Sequence, residues 1–193
     1  MKKVIISAGF MMLVFFISGC ATLSSMHGTY VSITPLADRG FDSDKYERLF
    51  IAYFPDTEKG KLFKKELMSA FKSGYYKFPD EKDEQGILLK TGKKYDGDVL
   101  ISEAQELGRL LKAKAVIVVK RVDFSGDGKV LYAGIEIVDP YGGVLVSIVH
   151  RGGKSPESIR SAAWSILNGI GLENMKYETM REHDHKSKLI PVQ

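Results

Sequence analysis

Apolar residues along this chain change their spacing several times, and each change marks an element. Arg48 to Phe54 (R-L-F-I-A-Y-F) is short, continuously apolar and closed by Pro55-Asp56, the pattern of a strand buried on both faces. From Thr57 to Tyr75 the apolar positions Phe63, Leu67, Ala70, Phe71 and Gly74 recur at helical spacing, with Lys61, Lys64, Lys65, Glu66 and Lys72 on the other side. Tyr75 to Phe78 reads as a second short strand stopped by Pro79. Asp80 to Asp98, the least readable stretch, mixes charges and glycines with one apolar triplet, Ile87-Leu88-Leu89, and reads as a long functional loop or as an element that leaves no clear pattern. Ser102 then opens a helix with Gln105 three residues on, a capping-box spacing, and Ala104, Leu107, Gly108 and Leu111 line one face. Gly108 costs a helix about 1 kcal/mol relative to alanine, so a close approach of helix to sheet is its expected reason.

The β-branched run Ala115–Val119 begins three strands, at about 114–124, 129–139 and 143–150. Ser125-Gly126-Asp127-Gly128 and Asp139–Gly143 are turn sequences, and links so short force antiparallel neighbours. Ser155 is expected to cap a last helix, with Pro156 at its first position, Glu157 near its positive end, and a stripe from Ile159 to Ile170. After Asn174 the pattern fades into a polar tail. The element order predicts an α/β (α+β) chain: one mixed sheet with an antiparallel three-strand meander and helices packed on its faces.

Ahead of these elements stands a different kind of segment. Lys2 and Lys3 precede an uncharged apolar stretch, Val4 to Phe16, and Ile17-Ser18-Gly19-Cys20 follows it. That is the layout of a secretory signal. With a cysteine at its end it resembles the lipobox of bacterial lipoprotein precursors. The resemblance implies cleavage between Gly19 and Cys20, a diacylglyceryl group on the Cys20 thiol and acylation of the new N-terminus. Ala21, rather than aspartate, after the cysteine implies delivery to the outer membrane. Two or more acyl chains hold a protein stably, whereas one does so only marginally. Residues 20–46, rich in Ser, Thr and Gly, read as a tether, with Tyr30–Ile33 as a candidate edge strand. Such a tether averages about 25–30 Å end to end and reaches about 85 Å stretched, so the domain is expected to work well away from its membrane. The expected division is thus 1–19 signal, 20–46 lipidated tether, 47–175 periplasmic domain and 176–193 tail.

Composition narrows the function classes. Of 193 residues, 174 remain after the signal, enough for one sizeable core. The net charge of +4 falls to +2 when Lys2 and Lys3 leave, and acids alternate with bases, which excludes a nucleic-acid footprint. Cys20 is the only cysteine, so no disulfide within the chain supports the fold.

Motifs that carry chemistry fail one by one. Gly153-Lys154-Ser155 lacks the glycine that a phosphate loop needs at position 148, where Ile148 stands. Asp123-x-Ser125-x-Asp127-Gly128 faintly echoes a calcium loop, but Gly134 occupies the position of its bidentate glutamate. His183-Asp184-His185 forms no fixed metal cluster. His150 and Ser147 share a strand at an offset of three, which places them on opposite faces, unlike a nucleophile and its base. No catalytic, cofactor-binding or metal residue is therefore assigned.

From Ala104 to Ile170 the chain resembles the CsgG-like and LpoB-like bacterial envelope lipoproteins, with their TolB N-terminal-type domain. The residues that carry this are Ala104-x-x-Leu107-Gly108 with Ala113–Ile117, then Ile135–Asp139 with Gly142-Gly143-Val144, and Leu49–Phe54 as the first strand. The resemblance implies an anticodon-binding-like sheet, no cofactor, and work done through protein contacts. The expected function is that of an outer-membrane-anchored periplasmic lipoprotein, not an enzyme, that docks on an envelope protein as an assembly factor or regulator of cell-wall or secretion machinery. The alternatives are a subunit of a homo-oligomeric secretion complex and, less in keeping with the residues, a peptidoglycan hydrolase. The turns Ser125–Gly128 and Asp139–Gly143 leave no room for the membrane-crossing hairpins of a CsgG channel. A contact surface is expected at Asp80–Asp98 and on the lysine face of the first helix.

Overall fold

The computed structural model describes residues 28–37, 40–52, 57–91, 100–153 and 156–188, with only the backbone course for 88, 177 and 180–188. The signal, Gly19, Cys20, Lys154 and Ser155 lie outside the described residues. Strands β1 (Gly28–Ile33), β2 (Leu49–Ala52), β3 (Ala115–Phe124), β4 (Val130–Val138) and β5 (Val144–Arg151) form one sheet in the order β1-β5-β4-β3-β2. Of these strands only β2 and β3 pair in parallel; β3, β4 and β5 are the expected meander. Helices α1 (Glu58–Ser73), α2 (Glu81–Thr91), α3 (Ile101–Leu110) and α4 (Ile159–Lys188) complete an α+β fold.

Period-two alternation decides what each face of the sheet buries. Ile51, Ile117, Ile137, Val146 and Ile33 stand side by side across all five strands, and Val119, Ile135, Ile148 and Val31 form the next row. Both rows lie under α1 and α4, whose Phe63, Leu67, Phe71, Ala162, Ala163, Ile166 and Ile170 belong to the same core. The opposite face has a smaller core, Phe50, Val116, Val118 and Val138 beneath Ala104 and Leu107 of α3. Because β2 contributes to both cores, all four of its residues are buried, as its continuous apolar run predicts.

Several expectations need correction. The segment read as a tether is part of the domain from Gly28 onward. β1 closes the sheet against β5, Ala37 and Phe41 are fully buried, and Tyr46 is 3% exposed. Phe41 stacks between Tyr46 and Tyr76 at centroid distances of 4.8 and 5.6 Å. Asn174 on α4 grips its backbone twice, accepting from the Phe41 amide at 2.8 Å and donating to its carbonyl at 2.6 Å. The expected loop at 80–98 holds α2, favoured by Glu81, Asp83 and Glu84 in its first turn and Lys90 in its last, each complementing the helix dipole.

Helix starts also differ. Leu100, not Ser102, precedes α3, with no side-chain cap, and Gln105 donates instead to the Asp139 and Gly142 carbonyls at 2.9 and 2.5 Å. At α4 the cap is Ser158, whose Oγ accepts the Ser161 amide at 3.1 Å. Pro156 and Glu157 precede that helix, and Glu157 bridges Val130. The polar tail is helical as far as Lys188, since Glu, Lys, Met and Arg are good helix formers and neither Gly nor Pro interrupts them after Gly171. Tyr75–Phe78 supplies one bridge, Lys77 to Arg48, rather than a strand.

Gly108 has the role its position suggests. A Cβ there would sit 2.4 Å from Val116 Cγ2 and 3.3 Å from Pro140 Cγ. Gly108→Ala gains about 1 kcal/mol of helix propensity but overpacks a β-branched neighbour, which costs about 1–3 kcal/mol. A net loss is expected in urea unfolding. Asn174→Asp is expected to lose about 1–3 kcal/mol in the same measurement, because a carboxylate cannot donate to the Phe41 carbonyl.

Candidate functional site

The two segments expected to form a contact surface lie side by side. Thr57 caps α1, its Oγ1 accepting the Gly60 amide at 3.0 Å, and so fixes where the helix begins. With Phe63, Leu67, Ala70 and Phe71 in the core, Lys61, Lys64, Lys65, Met68, Ser69 and Lys72 form the opposite face. Pro79 turns the chain into α2, and Glu81, Glu84 and Gln85 face those lysines across a groove of about 710 Å³.

Charge in the groove is uneven. Lys64 Nζ lies 2.5 Å from Glu84 Oε1, and both side chains are largely covered, at 29% and 16% exposure. This pair ties α2 to α1. Lys61 meets Glu58 at 3.5 Å, a solvent-exposed contact worth little. Four lysines against Glu81 and Glu84 leave an excess of positive charge over the apolar floor that Met68 and Pro79 provide. Such a groove suits a segment with carboxylates on one side and an apolar residue on the other.

A second polar surface is the part of the sheet that α3 leaves uncovered. A bulge at Lys120, between Val119 and Arg121, turns both Lys120 and Arg121 outward on that face. Lys120 Nζ lies 4.0 Å from Glu136 Oε2. Arg121 grips Asp123 with two nitrogens, at 3.0 and 2.7 Å, and lies over the Tyr132 ring at 5.5 Å. Asp123 in turn holds the guanidinium pKa above its ordinary value. At the other edge, Lys77 donates to Glu47 at 2.7 Å and holds that carboxyl below the usual range. Burial pushes the Tyr76 phenol well above its ordinary pKa, and its hydroxyl donates to the Phe41 carbonyl at 3.2 Å.

The residues singled out by motif do not converge. Ser147 pairs with Glu136 and Ser32, whereas His150 pairs with Ala133 and Thr29 on the other face. His150 is fully buried, with Nδ1 2.9 Å from Thr29 Oγ1. In the calcium-like sequence the carboxylates are already matched, Asp123 by Arg121 and Asp127 by Lys129 at 2.9 Å. Gly153 is separated from the start of α4 at Ile159, unlike a phosphate loop running directly into its helix. The backbone at His183–His185 is helical. Among the described residues there is no group of three or more potential metal ligands, and no helix long and apolar enough to cross a membrane.

Asp127 carries a carboxyl whose pKa is displaced far from its ordinary value. Hydrogen bonds from Ser125 and then Lys129 pull it down to about 2. In the unfolded chain it titrates at about 3.9, so between these values the unfolded state binds more protons. Stability from this turn is therefore complete above about pH 4 and lost as pH falls toward 2. Carboxyl NMR titration is expected to place Asp127 below the ordinary aspartate value, and Ser125→Ala to move it back up.

No protein-family model matches the chain, and comparison with curated proteins found no relative. Among solved structures it is similar to a dodecamer of a PelC point variant from Paraburkholderia phytofirmans, at 17% identity and TM-score 0.41, covering 75% of this chain and 96% of that one. It is also similar to lipoprotein GNA1162 from Neisseria meningitidis, at 17% identity and TM-score 0.41, covering 56% of this chain and 82% of that one. At these values neither likeness assigns an activity or a partner. Membership of the CsgG-like family, expected from the packing motifs, is not established by them.

Proposed function

We propose that this chain is a lipid-anchored protein of a bacterial envelope, cleaved after Gly19 and acylated on Cys20. Its domain docks on another envelope protein, as an assembly factor or regulator of cell-wall or secretion machinery. The observation that carries the reading is Ile17-Ser18-Gly19-Cys20 at the end of an uncharged apolar stretch, with Cys20 the chain's only thiol. Ala21 in the next position favours the outer membrane, with the domain facing the periplasm. The groove between α1 and α2 is the docking surface the geometry favours, since it joins an apolar floor to a cationic wall.

Intact-mass analysis tests the anchor. The mature chain is expected to begin at Cys20 and to carry acyl increments, and Cys20→Ser is expected to retain the signal and lose them. A mature species beginning at Met1 without lipid would end the reading. Docking is tested by photo-crosslinking from Lys65 in intact cells. A discrete adduct is expected, reduced severalfold when Lys61, Lys65 and Lys72 are replaced by Glu, with the thermal unfolding of the domain unchanged. In detergent, a large fixed stoichiometry of this chain alone would replace docking by the secretion-ring alternative.

A further inference from the structure

The place where β1 begins changes what the lipid anchor does. Cys20 and Gly28 are eight residues apart, and from Gly28 onward the chain is fixed in the sheet by pairing with β5. Eight residues span at most about 26–29 Å. An anchor this short restricts which part of the domain can reach the membrane.

Gly28 lies in one row with Arg151, Tyr132 and Asp123, at one end of the sheet. At that same end the β3–β4 hairpin runs on past the row, through Phe124, Val130 and the turn Ser125–Lys129. That overshoot is about 10 Å at ~3.3 Å per residue. With the hairpin tip at the headgroup layer Gly28 stands off by only that overshoot, well under the maximum reach of eight residues. The opposite end of the sheet carries the Asp139–Gly143 turn, where Tyr141 is 82% exposed. To turn that end to the membrane, Gly28 would have to stand off by the whole length of β5. Its eight residues measure about 26 Å, nearly the full extension of the link. Charge does not reverse this preference. At the hairpin end Arg121 pairs with Asp123 and Lys129 with Asp127, while Lys59 Nζ contacts the Ser125 and Gly126 carbonyls at 3.2 and 3.4 Å.

We propose that the tip of the β3–β4 hairpin, Ser125–Lys129, is the part of the domain that meets the phospholipid headgroups, held there by the eight-residue link, and that the Tyr141 end points away from the membrane. This rests on acylation of Cys20. The lipid-bearing sulfur is a thioether, so a thiol dye reacts only with an added cysteine. Gly126→Cys, where a side chain meets open space, and Tyr141→Cys mark the two ends.

Each labelled full-length lipoprotein is reconstituted into vesicles of phosphatidylethanolamine and phosphatidylglycerol carrying a headgroup nitroxide lipid. Quenching at position 126 is expected to exceed that at 141 severalfold. A flexible Gly-Ser insertion after Ser25 that doubles the link is expected to shrink the difference while the protein stays bound. Equal quenching, or stronger quenching at 141, overturns the orientation, as does a difference that survives the longer link. Protein that floats with vesicles and carries acyl chains yet quenches equally sinks the orientation alone. Protein without acyl chains that fails to float sinks both the orientation and the anchor.

Discussion

Burial of one face of the sheet under α1 and α4 is the constraint on which the rest depends. One of the two aliphatic rows crosses all five strands and the other crosses four, and both end on β1, so that face is complete only when β1 occupies the β5 edge. Val31 and Ile33 extend the rows beyond β5, and Gly169 of α4 comes close to them; a Cβ there would stand 3.0 Å from Thr29 and Val31 methyls. Removing β1 would expose the edge rows of β5 and the contact surface of α4 together. The N-terminal strand thus packs against the core through Val31 and Ile33, and from Gly28 onward the chain belongs to the sheet.

The central elements were legible in the sequence because their burial leaves a periodic trace. β3, β4 and β5, the helix faces of α1 and α4, and the tight contact at Gly108 all follow from spacing. β1 was only half visible. Tyr30–Ile33 alternates as an edge strand does, but Ser, Thr and Gly around it carry the composition of a linker. The segment after it is held by Phe41 between two tyrosine rings and by the Asn174 grip on its backbone. A contact between positions 41 and 174 leaves no local pattern.

Helix ends and α2 were lost for another reason. Several residues suited to capping lie near each start, and tertiary partners choose among them. Gln105 has the spacing of a capping box, yet two turn carbonyls of the β4–β5 connection claim its amide. α2 shows no apolar stripe: among its described side chains Ile87 packs against the smaller core, while Leu89 is 84% exposed. Its helical form comes from end charges and the Lys64–Glu84 pair across the groove. The expected contact surface combined two segments that no sequence pattern joins, and this ion pair supplies the link between them.

The β3–β4 hairpin tip and the groove are joined through α1. Lys59, in the first turn of that helix, contacts the hairpin tip, and the lysine face runs from Lys61 to Lys72 along the next eleven residues. At 1.5 Å per residue the groove wall rises by about 16 Å from the hairpin side toward the opposite end of the sheet. If the tip sits at the headgroups, the wall starts just above them and stays within reach of a protein standing on the same membrane. A short link then has a use that a long tether would forfeit. It keeps the groove at a fixed height, which raises its effective concentration toward membrane-bound partners and lowers it toward those further away. In the proposed orientation, the number of residues between Cys20 and β1 becomes a term in partner choice.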